Sequence, residues 1–385
     1  GINGSGKHNN FSMSTDTGEN LLEPGKSPEE NMRFIVVLAA VLRAVDEYAD
    51  LLRASIAHSG NDHRLGANEA PPAILSIYLG EQLTEVMEGM ISGQKGASRK
   101  GGTMQLGVNS LPDLPRDATD RNRTSPFAFT GNKFEFRAVG SSQSSTKPMT
   151  VLNTIMADSL DYLASEIEGR MSKGLEVAIN EAVAEVFSKH RRIVFNGNGY
   201  SEEWHAEAAK RGLPNVPNAV DALACLNSAK NVDLFTRMQV LSSAESESRM
   251  NIQFEAYSKA IAIEGQSALS IARTMILPAA QKTQRDVAES LSSAKEHGFA
   301  TPKQSERLRD MSMRVEELVT CIDDLAEVFE SAEAHEGTEF DHAKAYRDDV
   351  VPAMNRLRVV CDHLETMTDD DYWPLPKYRE MLFLH

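Results

Sequence analysis

Apolar residues at Phe34, Val37, Leu38, Val41, Leu42, Val45, Leu51 and Leu52 recur at three- and four-residue spacing, which predicts a helix ending near Gly60. Ahead of it, Ser27, Pro28 and Glu30 form a capping-box pattern with proline at the first helical position. The clearest strand is KFEFRAV, residues 133–139. Lys133, Glu135 and Arg137 share one side of it, and Phe134, Phe136 and Ala138 share the other. Residues 1–15, GINGSGKHNNFSMST, read as a glycine-rich turn running into a strand.

Between these elements, NDHRLGANEAPP (61–72) is a polar loop closed by two prolines, and AILSIYL after it is a buried strand or short helix. Residues 89–118, rich in glycine, proline and basic groups, predict a long surface insertion. Amphipathic helices follow at about 150–169 and 174–190. The stretch 196–218, with NGNG, Pro214 and Pro217, reads as a connection. From about 219 the pattern is almost wholly helical, with long segments near 245–295, 303–334 and 340–366 and a compact tail, WPLPKYREMLF. No regular internal repeat is visible.

Length and composition narrow the class. At about 150 residues per domain, 385 residues imply two or three units. A hydrophobic content of 41% and a charged content of 25% are ordinary for a soluble globular protein. The net charge of −16 argues against nucleic acid or an anionic membrane as main partner, since both select basic surfaces. No apolar run approaches a membrane span. Cys225, Cys321 and Cys361 are odd in number and widely separated, as expected of reduced thiols in a cytoplasmic protein. Organelle targeting stays open, because residue 1 is a glycine already inside a motif and the chain is expected to be an N-terminal truncation.

Several residues carry possible chemistry. Gly1, Gly6 and Lys7 have the spacing of a phosphate-binding GxxxxGK loop, but that loop needs Ser or Thr next and a helix behind it. Here His8 follows and HNNFSMST alternates like a strand, so the phosphate-loop reading is set aside. His8 is either a hydrogen-bonded structural histidine or a divalent-metal ligand, with Glu135 as its candidate companion. The 133–139 strand is likewise either half-exposed with solvated charges or the wall of a cleft. In the second case Glu135 holds a metal while Lys133 and Arg137 hold anionic groups. Arg121, Asn122 and Arg123 lie just upstream, and His63 and Arg64 precede Glu69 on the loop pinned by Pro71 and Pro72. Ordinary ion pairing on an acidic surface and a site for a polyanion plus metal both fit this distribution.

Three of these segments resemble glutamine synthetases, in that family's chain order. NGSGKHNNFS resembles its NGSGxHxHxS segment, HRLGANEAP its flap, and RNRTSPFAFTGNKFEFR its RNRS…RxExR stretch. The wordings NDHRLGANEAPPA and WPLPKYREMLF, the insertion before Arg121 and the helical tail resemble type III in particular. The resemblance implies an α+β fold: a glutamine-synthetase-type catalytic domain with a curved antiparallel sheet, followed by a mainly α-helical region. By it, residues 1–195 are the C-terminal portion of the catalytic domain, with 73–120 as an insertion, and 196–385 are a helical extension.

The same resemblance implies ATP-dependent ligation of ammonia to L-glutamate through a γ-glutamyl phosphate. It implies Mg2+ or Mn2+, the substrates ATP, L-glutamate and ammonium, and a large ring-type homo-oligomer, with no nucleic acid or membrane partner. His8 and Glu135 match metal ligands; Asn3, Gly4, Arg64 and Arg137 match glutamate-binding positions. Ser12, Asn10, Lys133 and Arg123 match nucleotide-side positions, Arg123 also steadying the transferring phosphate, and Glu69 matches the flap glutamate that takes a proton from ammonium.

There are departures. Asn10 stands where the family has histidine, Arg64 lies one residue closer to Glu69 than in type I, and a second phosphate-contacting arginine has no match near Ala128. The remaining metal-binding glutamates of the family fall outside this sequence, so the fragment alone is expected to be inactive. A γ-glutamyl-amine ligase acting on alkylamines or polyamines is the enzymatic alternative. A non-catalytic scaffold or regulatory paralogue is the other.

Overall fold

The structure, a computed structural model, describes residues 6–25, 27–66, 70–93, 103–104, 114–115 and 124–382. The chain divides into two compact units, Gly1–Met250 and Asn251–His385.

The first unit is built on a small mixed sheet. Among the described residues the strands in chain order are β1 (Gly6–Phe11), β2 (Ile77–Tyr78), β3 (Thr103–Met104), β4 (Leu114–Pro115), β5 (Phe127–Phe129) and β6 (Phe134–Gly140). Four of them form one sheet in the order β1-β6-β5-β2, while β3 and β4 pair separately. β1 and β5 both run antiparallel to β6, and β2 runs parallel to β5. Thus the predicted antiparallel sheet carries one parallel pairing at its edge.

Alternation gives the sheet a core face. Phe11, Phe127, Phe134 and Phe136 are all buried. Phe127 stacks on Phe134 with centroids 4.9 Å apart, and Phe34 meets Phe129 at 6.0 Å from the covering helix.

That helix is α1 (Met32–Glu47), followed by α2 (Ala49–Ala54) and α3 (Ser59–Asp62). The eight apolar positions picked out by spacing are all buried. The single predicted helix is broken at Tyr48, and its start differs too. Ser27 makes no side-chain cap; Pro28–Glu30 form a 3-10 turn, and Asn31 caps α1 by accepting from the Phe34 N–H. α4 (Glu81–Ser92), α5 (Thr146–Gly169) and α6 (Leu175–His190) follow, with α5 and α6 packed on α1. The predicted connection at 196–218 contains a helix, α7 (Glu202–Lys210), whose Trp204 is buried. α8 (Ala219–Ala224) and α9 (Ala229–Arg237) complete the helices lying wholly within this unit.

The unit boundary falls inside α10 (Ser243–Ile271). The second unit continues with α11 (Leu277–Glu296), α12 (Pro302–Glu333), α13 (Glu339–Ala345), α14 (Val351–Glu365) and α15 (Tyr378–Leu382). Two π turns, Ala272–Ile276 and Tyr346–Val350, join α10 to α11 and α13 to α14. Each stands just ahead of a proline, Pro278 or Pro352. Proline removes a helical N–H and its ring crowds the carbonyl four residues back, so a widened turn lets the helix run on. None of the helices among the described residues is long and apolar enough to cross a membrane.

Candidate functional site

The site is written on the face of β1 and β6 opposite the phenylalanines. Asn10 pairs directly with Glu135, which puts both side chains on one side; His8, two residues earlier in β1, shares that side. His8 Nδ1 lies 3.5 Å from Glu135 Oε2. The imidazole is open to solvent at 61% exposure and the carboxylate is nearly enclosed at 12%, so the pair opens outward from a fixed base.

Arg137 sits on the same face and donates to the same oxygen, from Nε at 3.2 Å and Nη2 at 3.0 Å. Its side chain is buried at 5% exposure, and the ion pair satisfies a charge that burial would otherwise penalise. A carboxylate oxygen facing an imidazole nitrogen at this separation fits a shared divalent cation. Ligands about 2.1 Å from such an ion in neighbouring octahedral positions lie roughly 3 Å apart. Among the described residues no third His, Cys, Asp or Glu joins them.

Arg64 occupies a different niche. Its side chain is buried, and its Nη1 donates to Ala138 O at 3.1 Å and to Asn61 Oδ1 at 3.3 Å, while Nη2 donates to Arg137 O at 3.0 Å. Burial pushes its pKa down, and the nearby Tyr200 phenol opposes that shift. Asn61 is also buried, donating through Nδ2 to Ala138 O at 3.1 Å and Ile56 O at 2.9 Å.

Of the nucleotide-side candidates, Asn10 and Ser12 are exposed and alternate with buried Phe11 along the outgoing chain. Lys133 is half-buried in the β5–β6 turn, where its carbonyl accepts from the Thr130 N–H at 2.9 Å. Gly131 has φ +98°, the left-handed conformation this tight turn requires. Asn3, Gly4, Glu69 and Arg123 lie outside the described residues.

Sequence reading missed the segment after α6. The Phe195 N–H donates to Ile77 O at 2.9 Å, and Val194 bridges Ile77 in parallel, so the chain adds to the β2 edge. Asn196 Oδ1 accepts from the Leu79 and Gly80 N–H groups, both at 3.1 Å. The Gly199 N–H donates to Thr124 Oγ1 at 2.8 Å, and a Cβ on Gly199 would lie 2.6 Å from Thr124 O. The signal was present in NGNG as a turn motif, but nothing in it specified what the turn would touch.

The sequence is similar to known proteins. Residues 178–295 match the family model described as the glutamine synthetase C-terminal domain. Over its whole length it is 47% identical to the type-3 glutamine synthetase of Dictyostelium discoideum, across 391 aligned residues that make up 53% of that protein. It is 40% identical to a glutamine synthetase of Bacteroides fragilis (strain YCH46), covering 54% of it, and 39% identical to one of Butyrivibrio fibrisolvens, covering 55%. The chain thus spans about half the length of the curated relatives it matches.

Proposed function

We propose that the protein joins ammonia to L-glutamate at the expense of ATP, through a γ-glutamyl phosphate, releasing L-glutamine, ADP and phosphate. The observation that carries this reading is the convergence of His8 Nδ1 and Glu135 Oε2, 3.5 Å apart, from paired strands. Similarity to glutamine synthetases over the entire chain supports it.

Forming an amide from a carboxylate and ammonium is uphill in water, so the carboxylate must first be activated. Phosphoryl transfer asks little covalent help of a protein; it asks for alignment and for positive charge around the moving group. His8 and Glu135 would hold Mg2+ or Mn2+, which when bound supplies charge neutralisation at the nucleotide phosphates. Arg123 adds guanidinium donors to the phosphate in flight, and Lys133, Asn10 and Ser12 take the nucleotide side. Arg137, with Arg64, Asn3 and Gly4, orients glutamate so that its side-chain carboxylate faces ATP. Arg137 already donates to the Glu135 oxygen that faces His8, so substrate and cation sites are coupled through one ion pair. Ammonium has no lone pair to attack with; Glu69 takes its proton. Self-association into a ring and a cytoplasmic location belong to the same proposal.

The test is ammonium-dependent ADP release by the full-length protein, with glutamine measured directly. Glu69→Ala is expected to keep ATP binding and lose glutamine formation by about 100-fold or more, the scale of a general base. Normal turnover in that variant removes Glu69 from the mechanism. Preference for methylamine over ammonium would instead favour a γ-glutamyl-amine ligase.

A further inference from the structure

The pairing of β1 with β6 is irregular at one point, and that point governs the site. Lys7 pairs with Val139 but Asn9 pairs with Phe136, so Arg137 and Ala138 together oppose the single residue His8. Continuing the register of Gly6 with Gly140 and Lys7 with Val139 would set Glu135 opposite Phe11. Phe11 belongs to the core face, and a one-residue slip would send Glu135 there with it. The β6 bulge therefore puts Glu135 on the side of His8.

A bulge interrupts the ladder and leaves backbone groups in need of partners. The carbonyls of the two bulged residues, Arg137 and Ala138, are the ones that accept from Arg64 Nη2 and Nη1. Asn61 makes a second bond to the Ala138 carbonyl and braces the same guanidinium. Gly6 makes the approach possible: a Cβ there would stand 2.6 Å from Arg64 Cζ and 2.6 Å from Val139 O.

We propose that Arg64 is a positioning residue for the His8–Glu135 pair, acting by clamping the carbonyls of the β6 bulge and touching neither group. The proposal rests on reading that pair as the cation site. It adds to Arg64 a role separate from any contact with glutamate, and the two roles part in their consequences. A clamp sets metal affinity through geometry; a substrate contact sets the glutamate KM.

The experiment measures Mn2+ affinity by electron paramagnetic resonance, and glutamate KM at saturating Mn2+, in full-length wild type, Arg64→Gln and Gly6→Ala. Gly6→Ala changes no side chain of the His8–Glu135 pair and presses on the Arg64 guanidinium and on the Val139 carbonyl beside the bulge. Both variants are expected to bind Mn2+ about tenfold or more weakly, as when an outer residue orienting a ligand is lost. Unchanged Mn2+ affinity in both, with any defect confined to glutamate KM, overturns the proposal. If Arg64→Gln fails to fold, Arg64→Lys, which keeps the charge but loses the two-nitrogen fork on the Arg137 and Ala138 carbonyls, decides by the same measurements. If wild type neither binds Mn2+ nor makes glutamine, the functional reading is what fails. The clamp is then judged by amide exchange over residues 134–140, faster in Arg64→Gln if it holds and unchanged if it does not.

Discussion

Asp158 is a heavily engaged carboxylate of the first unit. From α5 it accepts from Arg43 Nη1 at 2.7 Å and Tyr48 Oη at 3.0 Å, and it pairs with Arg237 Nη2 at 2.7 Å. Burial alone would raise its pKa, but the hydrogen bonds from Arg43 and Arg237 outweigh burial and hold it below the usual carboxylate range. A lowered folded pKa means that the contribution is complete above the unfolded value, about 4, and is lost as the pH falls through the lower folded value. Asp158→Ala should therefore cost about 3–5 kcal/mol at neutral pH, because it strands buried donors. The check is urea unfolding at pH 7 and again below pH 4, where the gap between wild type and variant should narrow. An equal gap at both would remove the ionised form from the explanation.

Among elements, the start of α1 separates a sequence pattern from the bond that forms. Asn31 accepts from the Phe34 N–H at 3.1 Å, whereas Ser27 makes no side-chain cap. Asn31→Ala should cost about 1 kcal/mol, and Ser27→Ala only a few tenths, read from thermal melts of the two variants. Long helices were legible because burial repeats along them: the expected 303–334 helix is found at Pro302–Glu333. α7 was not, since Trp204 and Ala208 alone are buried in it, too few to make a period. The break at Tyr48 carries no glycine or proline, and the apolar pattern runs straight through it. Facing of the strand charges could be read from alternation, whereas His8 and Glu135 were candidate companions that only the resemblance joined. The bulge could not: register is a property of two strands together, and Arg64 satisfies carbonyls, which have no residue identity to read.

At the scale of the molecule, sequence reasoning saw a sheet-bearing part followed by helices, and both are present. It did not foresee that the stretch Val194–Gly199 would be stitched back onto the sheet. β2 ends the four-strand order, and its outer side is occupied by the backbone of Val194 and Phe195, with Asn196 holding the amides beyond.

A bare strand edge is a template on which other chains can grow. Ile74, Leu75, Ile77 and Leu79 make this one strongly apolar. A Phe195→Pro chain, which lacks the N–H that bonds Ile77 O, should therefore turn cloudy on mild heating, recorded by light scattering, at temperatures where Phe195→Leu stays clear. The two residues Val194 and Phe195, just ahead of the stretch that sequence alone marks as a connector, would then be what keeps the protein from polymerising through its own sheet.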